Sequence, residues 1–102
     1  MTEVKHLHEM IEFPKEGILS KTVAENRAGD VDLFMLPNGE KISGHTASRD
    51  AAVLILRGEA EFMLGKEWHR VKPGDWFFME AGLEHAVSAA DDLVFLLTLF
   101  GA

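Results

Sequence analysis

The stretch "GEKISGHTASRDAAVLILRG", residues 39–58, decides how this chain folds. It opens and closes on glycine and carries one histidine, His45. Two residues further on, where an extended chain would place a second side chain on the same face, stands Ala47. The closing "AAVLILR" (51–57) is strand-length and apolar on both faces.

Working outward, turn signals recur at short intervals: "PNG" at 37–39, Gly44, Gly58, Gly65, "KPGD" at 72–75, "AG" at 81–82 and "DD" at 91–92. Between them lie "DLFML" (32–36), "AAVLILR" (51–57), "AEFML" (60–64), "EWHRV" (67–71), "DWFFM" (75–79), "EHAVS" (84–88) and "LVFLLTLF" (93–100). These are strand-length and rich in β-branched, aromatic or leucine residues. Short strands with regular turns predict an all-β sandwich or barrel. "KPGD" has the proline-then-glycine order of a type II turn. Only "EVKHLHEMIEF" (3–13) is open between a short helix and an edge strand, with Pro14 ending it.

With 102 residues the chain fits one domain, 1–102. The formal net charge of -7 argues against a nucleic-acid backbone or an anionic membrane as partner. There is no cysteine, so disulfides, thiolate metal sites and cysteine nucleophiles are excluded. "MTEVKHLHEM" lacks the basic-then-apolar pattern of a signal peptide, and no apolar run approaches bilayer-spanning length. The expected location is the cytoplasm. "AAVLILR" and "LVFLLTLF", apolar on both faces, need a second covering surface. That surface is expected to be another subunit, giving a homodimer, with the N-terminal segment or loops as the alternative.

A second stretch, "GDWFFMEAGLEHAVSA" (74–89), completes the pattern. Together the two resemble the paired motifs of the cupin superfamily, specifically its small single-domain members. The first family motif runs Gly, five residues, His, one, His, three or four, Glu, six, Gly. Gly39, His45 and Gly58 match it in register, while Ala47 takes the second histidine position and Ala51 the glutamate. The second motif runs Gly, five residues, Pro, one, Gly, two, His, three, Asn. Gly74, Gly82 and His85 match; Glu80 replaces the proline and Ala89 the asparagine. Residues 59–73 separate the motifs, and the resemblance covers about residues 30–100. It implies a jelly-roll β-barrel of two antiparallel sheets with a short N-terminal extension, often dimeric.

In metal-binding cupins, the resemblance implies, four side chains converge on one ion inside the barrel. Here two of those positions are filled, by His45 and His85. A catalytic zinc or non-haem iron site takes three protein ligands. Asp50, one residue out of phase, is the candidate third ligand if a β-bulge turns it inward; Glu80 and Glu84 flank the turn before His85. His45 and Ala47 are expected to point inward, with Ala51, Val53 and Ile55 inward on the next strand. His85 and Val87 are expected to face them from the opposite sheet. The two alanines leave room, and Phe62, Trp76, Phe77 and Phe78 are candidates to line or fill it.

The leading expectation is therefore a barrel that binds a small, largely apolar or carboxylated molecule, with His45 and His85 as the polar contacts and without a complete four-ligand metal site. Metal-free isomerase or epimerase chemistry with a histidine base would suit it. The first alternative is a dioxygenase-like enzyme using Fe, Mn, Ni or Zn on His45, His85 and a carboxylate. The second is a structural dimer module with no ligand. "HLH" (6–8) reads as a surface feature and His69 as surface or core-edge, and "GHTASRD" carries no hydrolase signature. There is no glycine-rich phosphate loop.

Overall fold

A computed structural model describes residues 3–101. Nine strands follow a short 3-10 turn, Leu7–Met10: β1 (Leu19–Asn26), β2 (Gly29–Leu36), β3 (Lys41–His45), β4 (Ala51–Arg57), β5 (Ala60–Leu64), β6 (Glu67–Val71), β7 (Trp76–Met79), β8 (His85–Ala89) and β9 (Leu93–Phe100). They form two antiparallel sheets, ordered β1-β2-β9-β4-β7 and β3-β8-β5-β6. The all-β, two-sheet jelly roll expected from the sequence is what the chain adopts. The seven expected segments each lie in a strand, while β1 and β3 are additional. Residues 3–13 contribute one turn of 3-10 helix rather than an edge strand.

Two turns show why the sequence closes where it does. In "KPGD" the Asp75 N–H donates to the Lys72 carbonyl (3.0 Å), with Gly74 at φ 93°. That is the left-handed position a type II turn requires. The Asp75 carboxylate also accepts the Lys72 N–H at 2.9 Å. Gly58, at φ 79°, packs so tightly that a Cβ would run into the Asp92 carbonyl.

Strand alternation sorts each side chain to one of two cores. Val53 and Ile55 of β4, Phe62 of β5, Val87 of β8 and Phe95 of β9 are buried between the sheets. Their sequence neighbours on β4 and β9 face the other way. On that outer face Leu33, Met35 and Val94 form a second buried cluster, roofed by Met10, Ile11 and Phe13 of the N-terminal segment. Arg57 lies over the Phe13 ring, 5.4 Å from its centroid, and holds the roof at its edge.

The roof stops short of β7. Trp76, Phe78 and Phe100 stay 61%, 48% and 45% exposed on the same face. This corrects the expectation that Trp76 and Phe78 line the barrel. Trp76 pairs with Leu54 and Phe78 with Ala52, both outward positions of β4. Only the alternate residues of β7, Phe77 and Met79, turn inward, where Phe77 packs edge-on against Phe62 with centroids 4.9 Å apart.

Candidate functional site

His45 reaches the barrel interior because of an irregularity in β3. Ile42 pairs with Val87 and His45 pairs with His85. Ser43 and Gly44 thus oppose Ala86 alone, which is the two-against-one count of a β-bulge. Without it, strand alternation would put Ile42 and His45 on opposite faces. With it, both line the same interior cavity, while Ser43 and Gly44 face outward.

His45 and His85 are therefore register partners in one sheet, not residues facing each other from opposite sheets as expected. The reason is that the chain changes sheets after β3. Residues 46–50 carry it across, so the first motif straddles both layers. His85 and Val87 do face Ala51 and Val53 of β4 from the other sheet.

The two imidazoles lie with ring centroids 4.2 Å apart and planes at 62°. His85 is buried (8% exposed), and His45 stands at the exposed lip. Each ring is fixed in the same way. The His45 Nδ1 is 2.8 Å from the Ser43 carbonyl, and the His85 Nδ1 is 3.0 Å from the Leu83 carbonyl. A backbone carbonyl accepts and cannot donate, so both contacts require Nδ1–H. Neither Nε2 has a hydrogen-bond partner among the described residues.

The pair forms a neck between two spaces. The inner one, about 70 Å³, is apolar, with Val53, Phe62, Val87 and Phe95 in its wall. Its aromatic lining is rigidly packed: Phe34 stacks on Phe95 at 5.0 Å, and Phe62 meets Phe95 edge-on at 5.5 Å. The outer one, about 210 Å³, is walled by Ala47, Ala51, Leu99, Arg49 and Glu80. His45, His85, Met79 and Leu97 border both. The positions emptied to alanine thus contribute to the outer space. Ile55 lies in the core and borders neither.

The carboxylates take three different places. Asp50 is exposed, and its side chain accepts the Ala81 N–H at 2.8 Å, bracing the 80–82 turn. Glu84 lies on the outward side, against Gly44. Glu80 alone shares the outer cavity with the histidines, from an exposed position on its rim. Among the described residues no group of three His, Cys, Asp or Glu side chains is placed to hold a metal ion. The histidines fit two positions of such a site, with carbonyl-anchored rings and bare Nε2 atoms. The donor count falls short of the three that catalytic sites take.

Sequence reasoning missed Arg49. It borders the outer cavity, donating from Nη1 to the Gly101 carbonyl (2.9 Å) and from Nη2 to the Asp30 carboxylate (3.3 Å). Its position between the two emptied ligand positions was the available signal. Phe34, Met79, Leu97 and Leu99 were missed as well, being common core residues with no motif to mark them.

A larger concavity, about 920 Å³, lies on the outer face of the four-stranded sheet, around Trp68 and Arg70. Its size does not make it the chemical site. Arg70 is already paired with Glu59 (3.1 Å) and Glu61 (3.7 Å). The depression is broad and open, so water screens what polar groups it has. The histidine neck is narrow, part-buried and convergent.

Comparison with known proteins agrees with this architecture. The family model described as "Cupin domain" matches residues 32–99. An uncharacterized protein of Aquifex aeolicus (strain VF5) is 25% identical over 101 residues, covering 96% of this chain and 83% of its own. A conserved protein of unknown function from Streptococcus pyogenes superposes with a TM-score of 0.86 at 29% identity, covering 100% of this chain and 90% of that one. A cupin superfamily protein from Desulfitobacterium hafniense DCB-2 does so with a TM-score of 0.86 at 25% identity, covering 94% and 88%.

Proposed function

We propose that this chain, which belongs to the Cupin domain family, binds a small organic molecule in its barrel. The ligand's polar group sits between His45 and His85; the inner space, about 70 Å³, takes at most a short apolar group, and the outer one, about 210 Å³, takes the larger apolar body. The observation that carries this reading is the neck itself: two anchored imidazoles, with no partner for either Nε2 among the described residues, bordering both an apolar inner space and a larger outer one. A concave apolar site with a few convergent polar groups is the general form of a small-molecule site. Where the ligand carries an acidic C–H, a free Nε2 is also suited to act as general base, giving isomerase or epimerase chemistry without a metal.

A thermal-shift screen of small alcohols, acids and phenolics tests this. A true ligand at a hundred times its Kd adds about 2.7 kcal/mol, enough to raise Tm clearly in a domain of this size. The gain is expected to vanish in His85→Ala and to shrink in Ala47→Leu, which narrows the outer space. If no compound moves Tm, the binding reading fails, and a dimer module without ligand takes its place.

The anchored rings also favour a second reading, a divalent metal (Fe, Mn, Ni or Zn) on His45 and His85 in a dioxygenase-like enzyme. Glu80 is then the carboxylate best placed to join, because Asp50 is engaged with Ala81. Metal analysis of untagged protein tests it. Near-stoichiometric metal that disappears in His45→Ala and His85→Ala supports it, and no uptake at saturating metal rules it out.

The exposed Trp76, Phe78 and Phe100 support a homodimer formed through that face. No nucleic-acid or membrane partner is proposed, given the net charge of -7. Among the described residues no helix is long and apolar enough to cross a membrane. A cytoplasmic location belongs to the same proposal.

A further inference from the structure

The geometry points to a ligand that donates hydrogen bonds at the neck: a hydroxyl or N–H group on a small apolar body, rather than an ether, ester or ketone. This inference rests on the small-molecule reading and narrows it.

The Ser43 and Leu83 carbonyls fix the tautomer of each ring, since only Nδ1–H can satisfy them. A neutral imidazole has one N–H, so each Nε2 then presents a lone pair. The rings are 4.2 Å apart at their centroids, and both border the same two spaces. The chain thus offers two acceptors to one small volume and fills neither. Glu80, on the rim of the outer space, is a further acceptor. Arg49, a donor, borders only the outer space and not the inner one, and commits two of its five N–H groups to Gly101 and Asp30. A ligand oxygen with only lone pairs would meet lone pairs at the neck and lose its hydrogen bonds to water. A hydroxyl would place its proton on one Nε2. A primary amine or ammonium could serve both.

Matched probes separate these cases. Phenol and anisole share an aromatic body and differ in the donor, as do benzyl alcohol and benzyl methyl ether. Each is titrated into the full chain at about pH 8, above the ordinary imidazole range, with a chelator present so that no metal competes. Nitrogen-15 spectra of the histidine side chains report tautomer and contact together. Nδ1–H is expected at both His45 and His85. Phenol and benzyl alcohol are expected to bind about tenfold or more tighter than their ethers, the loss of one good hydrogen bond. In His85→Ala that preference is expected to collapse.

Equal affinity within each pair, or an Nε2–H tautomer at either ring, overturns the donor inference and leaves the binding reading standing. If none of the four compounds binds, the small-molecule reading fails and the donor inference falls with it.

Discussion

The two faces of β4 and β9 use one sequence pattern to opposite ends. Inward, Val53, Ile55 and Phe95 are sealed by the facing sheet. Outward, the same strands present Ala52, Leu54, Val94 and Leu96, and the fold covers only part of them. Met10, Ile11 and Phe13 roof Leu33, Met35 and Val94, while Trp76, Phe78 and Phe100 stay open to water. The interior that their inner face closes departs from its apolar pattern at the histidine neck, on β3 and β8 of the facing sheet. The outer face departs from burial at one place, the aromatic edge. Each departure marks where the molecule is expected to meet something else: a ligand inside, a second copy outside.

The sharpest break of this comparison comes from the inner core. Phe62 is 1% exposed and packs against Phe77 and Phe95. Phe62→Ala is expected to cost about 3–5 kcal/mol, read as a shift in the denaturation midpoint. An intermediate effect is expected at the roof. Phe13→Ala removes part of the cover over Leu33 and Met35 along with the Arg57 contact, for about 1–3 kcal/mol. The smallest change in stability is expected at the open edge. Phe78→Glu should move the unfolding free energy of the monomer by about 0.5 kcal/mol or less. It should nonetheless turn a dimer into a monomer by light scattering. A wild-type protein that is already monomeric at micromolar concentration would remove the second copy from the account.

Much of this contrast was legible in residue patterns. Strands apolar on both faces announced two covering surfaces, and the paired glycine–histidine motifs announced the jelly roll. Both proposed covers for the outer face bear on it: the N-terminal segment takes one end, and the other end stays free. β1 and β3 escaped notice for physical reasons. "LSKTVAEN" is an edge strand with an exposed, polar outer row, and "KISGH" is short and broken by glycine. Neither carries the apolar density that marked the others.

At the site, the histidines were legible and their surroundings were not. Spacing alone cannot show a bulge, yet the bulge at Ser43 and Gly44 decides that His45 faces in. Nor can it show that the chain changes sheets between His45 and Ala51, which makes His45 and His85 neighbours in one sheet. Asp50, offered as a third ligand if a bulge turned it inward, is exposed, and its capture by the Ala81 N–H depends on a turn thirty-one residues away. Trp76 and Phe78 were misplaced because "DWFFM" reads as aromatic throughout, and only its register with β4 tells inward from outward.

The most direct measurement is a phenol titration followed through the side-chain nitrogens of the five histidines, with a chelator present. Saturable shifts at His45 and His85, with His6, His8 and His69 unmoved, are the predicted result. No shift at the pair, or movement at His69 instead, would contradict the assignment of the neck as the site where this chain meets its ligand.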